Sequence, residues 1–227
     1  MREHTDREYE GELHELRAAL LRMGAKVEEM IAGAARALMT RDTELAEGTF
    51  ETDHEVNVLE VEIDELCLKT LARRQPVASD LRFIATALKL VTDLERMGDL
   101  VSNICERVIE LNKEPPLRSY DSLQLMAAAA GAMVHDALAA FVLRDPEQAQ
   151  ELLARDNVVD DYYAHLFDEL LREMMADPAN VYRATRLQSI AKYLERIADH
   201  ATNLAELVIF QVEGKDVRHK AGRFDVK

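Results

Sequence analysis

The chain has 227 residues, of which 43 are acidic and 28 basic, giving a formal net charge of −15. That charge argues against nucleic acid or anionic lipid as a partner, because both are bound through basic surfaces, and it leaves metal cations and basic protein surfaces open. With 48% hydrophobic residues a core can form, and an Ala-, Leu- and Glu-rich composition with no Trp, 8 Gly and 5 Pro favours helices over strands.

The first predicted helix runs from about 9 to 40, where Leu13, Leu16, Leu20, Met23, Val27, Met30, Ala34 and Leu38 recur every three or four residues. Asp42 is placed to cap a second helix over 43–74 with Val56, Leu59, Ile63, Leu66 and Thr70 inward. Pro76 in "RRQPVASD" ends it and suits the first turn of a third helix, about 77–112, which buries Ile84, Ala87, Val91, Leu94, Gly98, Val101 and Val108. "NKEPPLRS" at 112–119 is the one Pro-rich linker. A fourth helix follows at about 120–143. Asp145-Pro146 opens a fifth, to about Met175, and Asp177-Pro178 opens a sixth, about 179–213, stopped by Gly214. The polar tail, 215–227, is expected to fray.

The two halves align residue by residue. Met30, Ala34, Arg41, Asp42, Asp53 and Asn57 match Met133, Ala137, Arg144, Asp145, Asp156 and Asp160 at an offset of 103. Glu95, Arg96, Asp99, Asn103, Glu106 and Val108 match Glu195, Arg196, Asp199, Asn203, Glu206 and Val208 at an offset of 100. The pattern is an internal duplication. The fold predicted is all-α: six long helices in two tandem antiparallel three-helix bundles, residues 1–114 and 115–214, making an elongated molecule with helices of about 45 Å.

With Leu94 at zero on a helical wheel, Val91, Gly98, Val101 and Val108 fall within about 60°, while Glu95, Asp99, Asn103 and Glu106 form a stripe at about 100–180°. The last helix repeats the stripe with Glu195, Asp199, Asn203 and Glu206. The second helix carries Asp53, Asn57, Glu60 and Asp64 on one flank. Its counterpart keeps Asp156 and Asp160 but has Tyr163 and Phe167 in the other two places. Like charges one turn apart repel. Two such pairs brought face to face would suit a hard cation of the Mg, Ca, Mn or oxidised Fe class, bound by oxygen alone. An acidic flank beside a helix core is ordinarily a solvated surface, and both readings stay open.

Other chemistry finds little support. A di-iron bundle needs two Glu-x-x-His motifs, whereas Glu51–His54 stands alone and its counterpart is Ala154–Asn157. His54 and His200 read as surface histidines. No Gly-rich phosphate loop or recognisable nucleophile–base spacing is present, and the protein is expected to be no enzyme. Arg73, Arg74 and Arg82 mark a capped corner with solvated arginines, or a docking point. Cys67 and Cys105 read as reduced core thiols. "MREHTDREYEGELHEL" is too polar for a signal peptide, and no apolar run approaches the ~20 residues of a membrane span, so a cytoplasmic protein without membrane insertion is expected.

The segments "ELRAALLRMG", "RQPVASDLR", "DLERMGDLVSNI" and "YLERIADHATNLAE" together resemble the PhoU family of phosphate-transport regulators, over about 9–214. The resemblance implies a cytoplasmic, commonly dimeric negative regulator of the phosphate-starvation response. It would act between a Pst-type ABC transporter, through its ATPase, and a PhoR-type sensor histidine kinase. Some family members bind metal through the acidic pairs. By position, one site would use Asp53, Asn57, Glu95 and Asp99, and the other Asp156, Asp160, Glu195 and Asp199. The first departs from the family pattern at Asn57 and Leu100, so the second is expected to be the stronger metal site. The alternatives are a metal-buffering bundle and an accessory subunit of another phosphate permease.

Overall fold

The computed structural model describes residues 2–117, 121–215 and 217, with side chains described from residue 7 onward. Among them there is no strand. The helices are α1 (Arg2–Thr40), α2 (Thr43–Arg74), α3 (Ala78–Asn112), α4 (Asp121–Leu143), α5 (Pro146–Leu153), α6 (Asp156–Ala176) and α7 (Val181–Glu213), with one 3-10 turn at Pro178–Asn180. The predicted two-unit helical plan is present, with one break. Most of the predicted tail lies outside the described residues.

Local chemistry sets most of the boundaries. Asp42 caps α2 by accepting from the Leu45 amide at 3.0 Å, and Asp145 caps α5 through the amides of Glu147 and Gln148, both at 3.0 Å. Gly214 ends α7 in the left-handed region, φ 71°. Arg41 and Arg144, equivalent in the repeat, end α1 and α4 with φ of 55° and 54°. Arg41 then reaches across to the carbonyls of Leu111 and Asn112, meeting the bare C-terminal end of α3. Pro76 sits in the α2–α3 turn, two residues ahead of α3, rather than in its first helical turn.

The predicted fifth helix is two helices. At Ala154 and Arg155 the amides bond back three residues, to Glu151 (3.3 Å) and Leu152 (2.9 Å), and α6 restarts at Asp156. In the first unit the equivalent helix, α2, runs unbroken. Gly33 lets α1 and α2 approach so closely that a Cβ there would lie 2.6 Å from the Thr49 hydroxyl. The equivalent residues, Asp136 and Leu152, are too bulky for that approach, and Asp136 instead takes Arg155, at the break itself, at 2.6 Å.

α1, α2 and α3 pack together as one unit and α4 to α7 as the other, and the units meet through α3 against α7 and α1 against α4. Three contacts fix the α3–α7 register as antiparallel: Arg82 Nε donates to the Gln211 carbonyl (3.3 Å), His200 meets Asp93 (2.8 Å), and Arg186 pairs with Glu110 (2.7 Å). The buried residues form one continuous core through both units. On the wheel, α3 is buried over roughly 200°, since Met97, Leu100 and Ile104 continue the arc well past the face predicted from Leu94. α7 does the same with Ile197, His200 and Leu204. His200 is therefore no surface histidine; it is buried at the crossing of the two units. Arg74 is likewise no free arginine, because Glu8 and Glu12 hold it to α1.

α4 corrects another expectation: by length and composition it is apolar enough to cross a membrane. Its Met126, Ala130, Met133, Val134, Ala137 and Phe141 lie in the shared core, and half of that apolar stretch is buried. Cys67 and Cys105 are buried and unbridged as expected, and burial pushes both thiols up to about 12. Because Met97 is fully buried on the arc that serves the second unit, Met97→Ala is expected to destabilise the whole chain by about 2–5 kcal/mol in a urea titration. A loss below about 1 kcal/mol would mean that this face is not packed as described.

Candidate functional site

The arcs buried on α3 and α7 leave little room for charge next to the core. The burial pattern over 91–100 repeats at 191–200 position by position, with one difference at 92 and 192. In each copy the Glu of the pair is half-buried and the Asp one turn later is exposed at its edge. The acids of the neighbouring helix, α2 or α6, come up to the same flank.

In the first cluster Asp53, Glu60, Glu95 and Asp99 lie within electrostatic reach across α2 and α3. Gly98 makes this approach feasible, as a Cβ there would sit 3.1 Å from Asp53 Oδ1 and 3.4 Å from Val56 Cγ1. The Asn57 amide donates to Asp53 Oδ2 at 3.1 Å, while Asp53 Oδ1 is buried with no hydrogen-bond partner. Burial and then Asp99 push the Asp53 carboxyl up, against the pull of Asn57 and the nearby Ser102 hydroxyl. Glu60 is raised by burial, Asp64 and Asp99, and Glu95 by burial, Asp99, Glu60 and Asp53. Asn103 has turned away, its amide bonding the Asp99 carbonyl at 2.7 Å.

The second cluster joins Asp156, Asp160, Glu195 and Asp199 across α6 and α7. Its Asp156 stands at the first position of α6, where the helix dipole favours a negative charge, whereas Asp53 is mid-helix. Burial, then Asp160 and Glu195, raise Asp156. Partial burial, then Glu195 and Asp156, push Asp199 up to about 6. The second cluster also contains a cation. Lys192 Nζ lies 2.7 Å from Glu195 Oε1 and 2.6 Å from Oε2, and it sits 5.4 Å from the centre of the Tyr163 ring.

All eight residues singled out in the sequence thus fall in two groups of four, one per unit. One participant was missed, Lys192, and Glu60, named on the α2 flank, was left out of the expected ligand sets. Glu60 lies two turns after Asp53 on the same flank, and Lys192 lies three residues before Glu195, so helical spacing carried both signals. A hard cation suits the first cluster's all-oxygen donors and the unpartnered Asp53 Oδ1. Among the described residues, no three acidic, His or Cys side chains already stand in closed ligand geometry. In the second cluster Lys192 donates to Glu195 Oε1 and forms an ion pair with Oε2, a cation that the first cluster's Glu95 lacks at the equivalent place, Thr92.

The raised Asp199 carboxyl makes the clusters pH-sensitive. A carboxyl whose pKa is higher folded than unfolded favours the folded state while protonated. That contribution is complete below the ordinary value of 3.8 and is lost as pH rises through about 6. In chelator, Asp199→Asn is therefore expected to raise the thermal midpoint relative to the unmodified chain at pH 7. The gain should shrink towards zero at pH 4. A gain independent of pH would contradict the assignment.

The PhoU domain profile matches residues 20–108 and again 123–208. The phosphate-specific transport system accessory protein PhoU homolog of Pseudomonas aeruginosa is 41% identical over 217 residues, 95% of this chain and 90% of that protein. The accessory protein PhoU of Escherichia coli is 32% identical over 98% of this chain and 92% of its own length. The crystal structure of PhoU from Pseudomonas aeruginosa superposes with a TM-score of 0.88 at 40% identity, covering 91% of this chain and all of that one. The phosphate transport system regulatory protein PhoU from Streptococcus pneumoniae gives 0.85 at 32% identity, over 92% and 99%. With both units matched, and relatives aligned nearly end to end, the chain belongs to the PhoU family.

Proposed function

We propose that this protein is a non-enzymatic regulator of phosphate uptake. It works in the cytoplasm as a homodimer that contacts the ATPase of a phosphate ABC transporter and a sensor histidine kinase of the phosphate regulon. It holds starvation signalling low when phosphate is plentiful. The observation that carries this reading is the end-to-end match, through both units, to proteins named as accessory proteins of phosphate-specific transport systems. The acidic surface fits a role in docking basic faces of other proteins, and its net charge of −15 opposes nucleic acid.

The buried, unpartnered Asp53 Oδ1 favours a second reading, in which the first cluster takes a hard cation. Asp53, Glu60, Glu95 and Asp99 would hold it, with Asn57 beside them. The ion would supply neutralisation of like charge and so stiffen the α2–α3 pair. The alternatives of a metal-buffering protein and of an accessory subunit for another permease share this surface.

Deletion of the gene separates these readings. Loss of the regulator is expected to raise a phosphate-starvation reporter several-fold in phosphate-replete cells, and pull-down of the tagged protein is expected to retain the transporter ATPase. Unchanged reporter activity would overturn the regulatory reading.

A further inference from the structure

The two acidic clusters descend from one duplicated unit, yet they balance their charge differently. The first gathers Asp53, Glu60, Asp64, Glu95 and Asp99 with no lysine among them, and position 92 is a threonine whose hydroxyl bonds the Leu88 carbonyl of its own helix. In the second, the residues equivalent to Glu60 and Asp64 are Tyr163 and Phe167, and the residue equivalent to Thr92 is Lys192. Each of these three changes lowers the cluster's negative charge, and Asp160 in place of Asn57 gives one charge back. Tyr163 offers its ring face to the ammonium at 5.4 Å, and Lys192 reaches both Glu195 oxygens within 2.7 Å. The Glu195 side chain is only 15% exposed, so its charge depends on a near partner more than a fully solvated carboxylate would.

We infer that Lys192 is the resident cation of the second acidic cluster, and that this cluster, unlike the first, carries no metal ion. A metal ion binding Glu195 would have to displace an ammonium that hydrogen-bonds Oε1 at 2.7 Å and lies 2.6 Å from Oε2 as an ion pair. It would also find one fewer carboxylate on α6, which offers Asp156 and Asp160, than on α2, which offers Asp53, Glu60 and Asp64. The family's two acidic motifs are therefore not equivalent in this chain: one is left open to exchangeable cations, and the other is closed by a covalently attached one. The contrast rests on the cation reading of the first cluster; the statement about Lys192 stands without it.

The test uses the full chain, stripped with chelator, in a background where Glu95→Gln and Asp99→Asn silence the first cluster. Manganese(II) is titrated calorimetrically into that protein and into versions that also carry Lys192→Met or Lys192→Arg. With Lys192 or Arg at this position no manganese should bind. Lys192→Met should gain one equivalent and a manganese-dependent rise in thermal midpoint, both abolished by adding Asp199→Asn. The inference is overturned if the background protein with Lys192 intact binds manganese in a manner lost on Asp199→Asn. It is equally overturned if Lys192→Met gains no equivalent. The parent protein, titrated alongside, tests the first cluster separately: no binding there removes the cation reading of that site and leaves the Lys192 result to be judged alone. Lys192 is half-exposed, so its replacement by methionine, which keeps an unbranched apolar stem, leaves the core untouched.

Discussion

Burial on α3 and α7 constrains everything else in the molecule. Each of these helices is packed over roughly 200° of its circumference, first against its own unit and then against the other. That leaves a flank of limited width for polar residues, and both helices fill it with a Glu and an Asp one turn apart. The neighbouring helix adds further acids to the same strip. Crowding follows from packing, and the raised carboxyl pKa values on both sides follow from crowding and partial desolvation.

The α3–α7 crossing also explains why the halves are not separate domains despite their sequence repeat. His200 and Asp93 are a nearly buried pair at the junction, and Arg186 with Glu110 and Arg82 with the Gln211 carbonyl hold the two ends. In the repeat the positions equivalent to Asp93 and His200 are Tyr193 and Leu100, both packed into the core. The interface is thus built from symmetric backbones with asymmetric chemistry. The same divergence separates the clusters: Glu60, Asp64 and Gly98 in one, a lysine and an aromatic ring in the other.

Much of the fold was legible in the sequence because helix signals are local. Asp42, Asp145 and Gly214 cap where their chemistry says they should, and the inward residues of α1 and α4 recur at helical spacing. The second buried arc was not legible, because Met97, Leu100 and Ile104 only make sense once another bundle lies against them. His200 was misjudged for the same reason. The break before Asp156 has no Pro or Gly to announce it and arises from a steric difference at Asp136 and Leu152, a tertiary effect. At the site, the acids could be read from spacing within each helix. The placement of a cation in one cluster could not, since it depends on where the Lys192 ammonium ends up across a turn of helix and over Tyr163.

Native-state hydrogen exchange tests the central claim most directly, that α3 and α7 form one shared spine. The amides of Leu94, Val101, Leu194 and Ala201, all buried along the spine, are expected to exchange only through the same global opening, with equal free energies and an equal response to urea. If the α7 amides exchanged through a cheaper opening of their own, with a smaller dependence on urea, the two units would be independent and the account would be wrong.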